Sequence, residues 1–417
     1  MNVLLLGSGG REHALSFALA KSPLLTKLFI APGNPGTAEF GENIVLDATD
    51  HQAVIQFCNL MKIGFVVIGP EAPLVAGLID DLQKAGIKAF GPNRAAAQLE
   101  GSKNFVKELC RDYAIPTADY QSFMEAQGAK AYVSAQGAPI VVKYDGLMAG
   151  KGVTVAATID EAHAAIDSIY KNEPSACVVI EECLIGEEIS FFCLIDGVNI
   201  VPFGSAQDHK RAFDGDTGPN TGGMGAYSPA PAFTAELEHR TLDEIIKPTI
   251  TAMREQGMPY KGVLFAGLML TVDGPKLIEY NVRFGDPECQ VLMLRLNSDL
   301  LKGLIASADG KLDGYQVELS DDCAIAVVMA AKGYPGSYET GSVIRKLNAA
   351  NALMGVKVFH AGTKEIGANL VSNGGRVLNV TALAPEIKRA REQAYRCAKI
   401  IDWDQGFYRS DIAWRAL

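Results

Sequence analysis

Glu279 and Asn281 stand two residues apart in the run LIEYNVRFGDPE, residues 277–288. Leu277, Ile278 and Tyr280 make this a strand after a Gly274-Pro275 turn, so both polar side chains leave the same face. A carboxylate oxygen beside an amide oxygen is a pair of hard donors. Such a pair suits Mg²⁺ (or Mn²⁺), which takes one or two protein oxygens and completes its sphere with phosphate and water. Arg283 continues the alternation and offers a bidentate cation for phosphate or carboxylate. Asp286 and Glu288 follow in a loop marked by Gly285 and Pro287. A solvated strand end with ordinary charges is the plainer reading.

The residues upstream would supply phosphate-binding cations. Gly101-Ser102-Lys103 opens a helix, with Lys103 in its first turn. Residues 139–144 (PIVVKY) form a strand that delivers Lys143 to a glycine-rich loop, DGLMAGKG, before a second strand at 153–157. Strand, glycine loop, strand is a hairpin lid, and backbone N–H groups at Gly146, Gly150 and Gly152 could close over phosphates. It is no P-loop, because GxxxxGK[ST] is missing and a strand follows instead of a helix. The strand CVVIEEC at 177–183 then runs through Leu184-Ile185-Gly186 to Glu187-Glu188 and a further strand. That is the hinge expected under a nucleotide, with connector backbone for a base edge and a carboxylate for a ribose diol. A plain hairpin with solvated glutamates is the alternative. Residues 207–228, QDHKRAFDGDTGPNTGGMGAYS, read as one long polar loop, and its mixed charges favour function over disorder.

These candidates need elements to hold them. Asn2–Leu6 is an apolar strand, followed by Gly7-Ser8-Gly9-Gly10 and a helix from Arg11 to about Lys21. Strand, glycine turn, helix can present N–H groups and a helix dipole to an anion, although such glycines often serve packing alone. Strands at 27–31, 43–46, 65–68 and 87–90 alternate with helices at 52–61 and 72–84, predicting a parallel sheet with helices on both faces. Its ligand loops are then Gly7–Gly10, 32–36 (PGNPG) and 69–73 (GPEAP), with Glu71 placed for ribose hydroxyls. A dinucleotide-binding domain would expect an acid closing the second strand, but Phe29-Ile30-Ala31 runs into Pro32. Downstream come a helix at 234–256, the hairpin 262–272 and 276–282 that delivers Glu279, and a helical stretch at 287–308. A last unit holds strands at 323–331, 356–360 and 376–383 and a helix at 386–401. No catalytic constellation is evident in it; packing and closure of the site are its default role.

A chain of 417 residues implies two to four domains. A formal charge of −10 argues against a nucleic-acid surface while leaving room for a local basic pocket. The eight cysteines form no CxxC pair or Cys/His cluster and read as buried thiols in a reducing cytosol. No basic leader precedes the first strand, and no apolar run reaches the roughly 18–20 residues of a membrane span. The expectation is a cytoplasmic enzyme, monomeric or weakly homo-oligomeric, with no membrane or nucleic-acid partner.

In order, GSGGREHA, PGNPGT, GPEAPLVAG, DHKR…GPNTGGMGAYSP, EYNVRFGDPE and the tail YRSDIAWRA resemble the glycinamide ribonucleotide synthetase family of the ATP-grasp superfamily. The resemblance spans essentially the whole chain. It implies an α/β ATP-grasp fold with an N-terminal Rossmann-like domain (1–100), an ATP-grasp domain (101–320, lid about 120–188) and a small α+β C-terminal domain (321–417). It implies ATP phosphates between Lys103 and Lys143, adenine against Glu181 and the backbone near Leu184, and ribose on Glu188. Mg²⁺ (or Mn²⁺) would sit on Glu279 and Asn281. Gly267 stands where many ATP-grasp enzymes carry another metal carboxylate. Phosphoribosylamine would lie with its phosphate near Gly9 and Gly10 and its ribose near Glu71. The 207–228 loop, with Asn220, Thr221 and Gly222, would cover the reacting carboxylate. Asp214 would meet the glycine amine, Arg211 a carboxylate or phosphate, and Asp286 a substrate group. The implied reaction joins glycine to phosphoribosylamine with ATP, through an acyl phosphate. A related purine ligase, a nucleotide-binding protein on an inactive ATP-grasp scaffold and a nicotinamide dehydrogenase are the rivals.

Overall fold

The computed structural model describes residues 1–147 and 152–417. Short, mostly apolar runs in the first 90 residues form β1 (Asn2–Gly7), β2 (Lys27–Pro32), β3 (Glu42–Asn43), β4 (Ile63–Ile68) and β5 (Ala89–Phe90). They make one parallel sheet in the order β3-β2-β1-β4-β5. Parallel strands are buried on both faces, and β1 accordingly hides Val3, Leu4, Leu5 and Leu6. The expected outer strands shrink to two residues each. The helix expected at 72–84 is split by Gly77, which takes φ +88° between Glu71–Val75 and Leu78–Lys84.

The lid sheet is β6 (Tyr120–Phe123), β7 (Ile140–Tyr144), β8 (Val153–Ala156) and β9 (Val178–Glu182), ordered β6-β9-β7-β8. Two helices, Ala126–Gln136 and Ile159–Asn172, cover its apolar face around Ala129, Val133, Val142, Ile166 and Ile180.

The 207–228 segment differs from the expected loop. β10 (Glu187–Asp196) pairs with β11 (Ile200–Asp208), which runs two residues further than its apolar stretch suggests. β12 (Arg211–Phe213) and β13 (Thr217–Asn220) close a small hairpin, and β14 (Gly225–Ser228) is a buried strand. The residues are polar and glycine-rich, so no hydrophobic period marks these strands. Backbone pairing forms them instead.

β15 (Lys261–Thr271) and β16 (Gly274–Asn281) form the hairpin that carries Glu279. The C-terminal part adds β17 (Cys323–Ala331), β18 (Val343–Ile344), β19 (Val356–His360), β20 (Thr363–Ile366), β21 (Asn369–Ser372), β22 (Arg376–Ala384) and β23 (Gly406–Phe407). One mixed-origin sheet, β16-β15-β10-β11-β14-β17-β22-β19, runs from the hairpin into these last strands, with β23 beside β17. The joint is β14 against β17, pairing Gly225 with Val327 through Ser228 with Ala324. Among the described residues no helix is long and apolar enough to cross a membrane.

Candidate active site

β16 brings Glu279 opposite Gly267 and Asn281 opposite Phe265. Glu279 is partly buried. Burial alone would raise its carboxyl, but Lys210, Lys143, Lys103 and Arg283 outweigh that and hold it below the ordinary carboxylate range. The strand therefore ends in an ionised oxygen donor ringed by four cations, with the Asn281 amide one pleat away. Among the described residues, no group of three or more acid, His or Cys side chains is placed to hold a metal by itself.

Lys103 and Lys143 approach from the lid side. Lys103 Nζ donates to the Gly146 carbonyl at 2.9 Å, and burial lowers its pKa. Asp145 caps the helix Lys103–Asp112, accepting from the Ser102 hydroxyl at 3.1 Å and the Asn104 N–H at 3.3 Å. The start of the glycine loop is thereby tied to the helix that carries Lys103. Lys143 is 3 % exposed and donates to the Ile278 carbonyl on β16 at 3.2 Å. Glu181 lies between two buried ammonium groups, 2.8 Å from Lys143 and 3.0 Å from Lys107. Glu181 thus fixes both lysines. Leu184 sits in the connector after β9, outside any strand. Gly152 accepts the Tyr144 N–H at 2.8 Å across the lid hairpin. Gly150 lies outside the described residues.

Glu188 forms an ion pair with Lys210, which also faces Asp208 and Glu279; burial opposes the Lys210 charge, but these acids raise its pKa. Glu288 is buried and accepts from the Ser190 hydroxyl at 3.1 Å. Burial pushes the Asp208 and Glu288 carboxyls up.

Arg283 does not point into open solvent. Its guanidinium meets Glu71 at 3.1 Å and Glu100 at 3.0 Å. Two sequence candidates, Arg283 and Glu71, are thus partners of each other across the N-terminal unit and the end of β16. Asp286 accepts from Gln290 at 2.8 Å, and Arg376 and Arg11 hold its carboxyl down against burial. At the helix start, the Gly9 N–H donates to Glu12 at 2.6 Å and the Arg11 N–H reaches Asp286 at 3.4 Å. These amides are engaged by protein carboxylates. Gly10 is a packing glycine, since a side chain there would run into Asn379 and Gln290.

The β12-β13 hairpin faces the end of the chain. Arg211 donates to the Gly218 carbonyl at 2.8 Å within its own hairpin, and Asp214 accepts the Ser410 N–H at 2.8 Å. Asn220 is exposed opposite Arg211. Thr221 binds the Lys210 carbonyl through its N–H at 2.7 Å and its hydroxyl at 2.9 Å. Gly222 takes the Tyr334 hydroxyl on its N–H at 3.2 Å. So Thr221 and Gly222 border the cluster, while the Arg211 and Asp214 side chains turn away from it.

A cavity of about 630 Å³ opens beside these residues, lined by Gly9, Asn34, Asp286, Tyr334, Lys364 and Arg376 among others. Arg376 bridges the Gly222 and Gly223 carbonyls to the Asp286 carbonyl. Sequence reasoning missed Arg376, Lys364 and Tyr334, lone polar residues in a part with no motif of its own. It gave Asp208 and Lys210, inside the DHKR motif, no role of their own. β11 ends at Asp208, so the strand period did not reach Lys210.

Three family models cover the chain: phosphoribosylglycinamide synthetase N domain over residues 1–100, its ATP-grasp (A) domain over 101–289 and its C domain over 324–415. A Mesorhizobium japonicum protein named phosphoribosylamine–glycine ligase is 59% identical over 100% of this chain and 99% of its own length. An Arabidopsis thaliana protein of that name, designated chloroplastic, is 56% identical over 98% of this chain and 79% of its own. The crystal structure of phosphoribosylamine–glycine ligase from Thermotoga maritima matches with a TM-score of 0.85 at 32% identity, covering 99% of this chain and 100% of that one. The biotin carboxylase domain of Hydrogenobacter thermophilus 2-oxoglutarate carboxylase, solved with MgADP and bicarbonate, gives a TM-score of 0.74 at 16% identity over 98% of this chain and 91% of that one, a likeness of fold alone. The chain belongs to the phosphoribosylglycinamide synthetase family, whose members here carry the name phosphoribosylamine–glycine ligase.

Proposed function

We infer that this chain is an ATP-dependent ligase that joins glycine to 5-phospho-β-D-ribosylamine, giving glycinamide ribonucleotide, ADP and phosphate in the second step of de novo purine synthesis. The γ-phosphoryl group of ATP passes to a glycine carboxylate oxygen, giving glycyl phosphate and ADP. The ribosylamine nitrogen then attacks the carbonyl carbon. The N–C bond forms, the C–O bond to phosphate breaks, and the nitrogen loses a proton. Such transfer needs alignment and charge neutralisation more than a protein nucleophile. The observation that carries this reading is the convergence of Lys103, Lys143, Lys210 and Arg283 on the Glu279 carboxylate.

Lys103 and Lys143 are assigned to the ATP phosphates under the loop that includes Gly146, Gly150 and Gly152. Glu181 and the Leu184 backbone are assigned to adenine, and Glu188 to ribose, where a diol would compete with Lys210. A divalent ion, Mg²⁺ (or Mn²⁺), would be held by Glu279 and Asn281 and would neutralise phosphate charge. Arg283 steadies that strand end through Glu71 and Glu100. Phosphoribosylamine is assigned to the cavity, with its phosphate toward Arg376 and Lys364 and its sugar toward Gly9, Gly10 and Glu71. Asp286 and the Asn220-Thr221-Gly222 turn border the glycine end. Arg211 and Asp214 shape the hairpin behind it. A cytoplasmic setting and a monomer or weak homo-oligomer complete the proposal.

The test is ADP release from ATP and Mg²⁺ with glycine and with phosphoribosylamine generated in place from ribose 5-phosphate and ammonia. ADP that requires both substrates, with glycinamide ribonucleotide as product, is the expected result. ADP formed with formate or bicarbonate in place of glycine would overturn the substrate assignment.

A further inference from the structure

The last residues of the chain close on the back of the site. His209 sits between Asp208 and Lys210 and turns away from both. It is 1 % exposed, and its Nε2 accepts the Ala413 N–H at 2.9 Å. Its Nδ1 therefore carries the proton, 3.7 Å from Asp216 Oδ1. Asp216 takes Arg409 Nη1 at 2.9 Å and also pairs with Arg415. Arg409 is buried; it grips Asp411 at 2.7 and 2.8 Å and donates to the Arg211 carbonyl at 3.1 Å. Asp411 in turn accepts the Gly215 N–H at 2.8 Å, and Ser410 is bound to Asp214.

The Arg211 carbonyl, Asp214, the Gly215 N–H and Asp216 of the β12-β13 hairpin are thus held by residues 409–415. A buried guanidinium with two carboxylates carries a desolvation cost that only good geometry offsets. Here that geometry has one structural consequence. Successive side chains on extended backbone alternate, so holding the His209 side chain from behind fixes which way Asp208 and Lys210 face. The carbonyl of Lys210 is also pinned by Thr221.

We propose that the tail Arg409–Ala413 is a positioning element of the active site: by holding His209 and Asp216 it directs Lys210 toward Glu188 and Glu279. The inference rests on the assignment of Lys210 to that site. His209 and Arg409 are positioning residues that touch no substrate.

The test compares His209→Leu, which removes the acceptor for the Ala413 N–H, with His209→Gln, whose amide oxygen can replace it. The readouts are kcat, the KM for ATP and amide hydrogen exchange in residues 209–221. His209→Leu is expected to lower kcat by about 10²-fold, the order expected for a displaced catalytic group. The KM for ATP should stay within about threefold, because the lost interaction belongs to the transition state. Exchange in 209–221 should accelerate, and His209→Gln should recover most of the kcat. Full kcat in His209→Leu would overturn the proposal, as would equal losses in both variants without faster exchange. If His209→Leu does not fold, Arg409→Lys decides by the same readouts, since one ammonium cannot span Asp216 and Asp411 as the planar fork does; unchanged kcat there overturns the proposal. Lys210→Met with full kcat would overturn the Lys210 assignment instead, and faster exchange in His209→Leu would still support the tail as the hairpin's anchor.

Discussion

Glu279 is kept ionised by Lys210, Lys143, Lys103 and Arg283 despite its burial. Removing that carboxylate takes away the anion proposed to hold the metal and leaves four cations facing one another. Glu279→Ala should therefore lower turnover far more than it weakens glycine binding, by a few kcal/mol in the transition state (~3 kcal/mol). Steady-state kinetics at saturating Mg²⁺ checks this, and unchanged turnover would remove Glu279 from the metal site. The histidines make a different prediction. Burial pushes His209 and His360 down to about 4 and His13 well below its ordinary value, so all three stay neutral in the fold. The unfolded chain binds these protons near the ordinary pKa of 6.5. Between 6.5 and 4 the unfolded state thus holds more protons, and stability falls as pH falls. The stabilisation is complete above about 6.5 and is lost toward 4, by up to roughly 3 kcal/mol for each of His209 and His360. A His360→Gln variant should show a shallower fall of Tm over that range; an unchanged slope would sink the assignment.

At the scale of elements, the lid sheet stands on one buried triad. Glu181 on β9 joins Lys143 on β7 to Lys107 on the helix Lys103–Asp112, with all three side chains at most 4% exposed. Removing the acid leaves two buried ammonium groups unpaired. Glu181→Ala should destabilise the protein by about 3–5 kcal/mol, read as a lower urea midpoint, and should also weaken ATP binding because Lys143 loses its anchor. Loss of ATP affinity without loss of stability would make Glu181 a nucleotide ligand only. Such elements differ in how far a sequence exposes them. The Glu279-Asn281 pair was legible because a hairpin of alternating apolar residues phases its own faces. The parallel N-terminal sheet was legible from its apolar runs. Lys210 and Arg211 were not resolved, because polar, glycine-rich residues give no hydrophobic period and either neighbour could face the site. A glycine turn such as residues 7–10 can cradle an anion or serve packing alone. The groups that crowd it, Asp286, Gln290 and Asn379, come from the far end of the chain, and local sequence does not encode that approach. The pairing of Glu71 with Arg283 was hidden for the same reason.

At the scale of the whole molecule, the N-terminal sheet, the ATP-grasp hairpin and the last strands meet around Asp286 and Arg376. Arg11 carries the first unit to the second through the Phe284 carbonyl at 3.1 Å. Asn34 and His13 carry it to the third, bonding the His360 carbonyl at 3.0 Å and the His360 N–H at 2.8 Å. Arg376 completes the junction from β22, reaching the Gly222-Gly223 turn and the Asp286 carbonyl on one side and the cavity on the other. Its role is then joint: it supplies positive charge at the cavity and sets the distance between the turn and the loop that borders the glycine end. Arg376→Ala should lower kcat/KM for phosphoribosylamine by roughly ten- to a hundredfold, the range for losing a charged hydrogen bond. ATP binding should be spared, because Lys103, Lys143 and the lid lie on other elements. Arg376→Lys should restore charge but not the fork, and so should recover only part of the loss. The measurement is a pair of KM values, one for each substrate, across the three proteins. An equal loss for ATP and phosphoribosylamine would mean that Arg376 holds the domains together without selecting the ribosylamine, and the cavity would need another occupant.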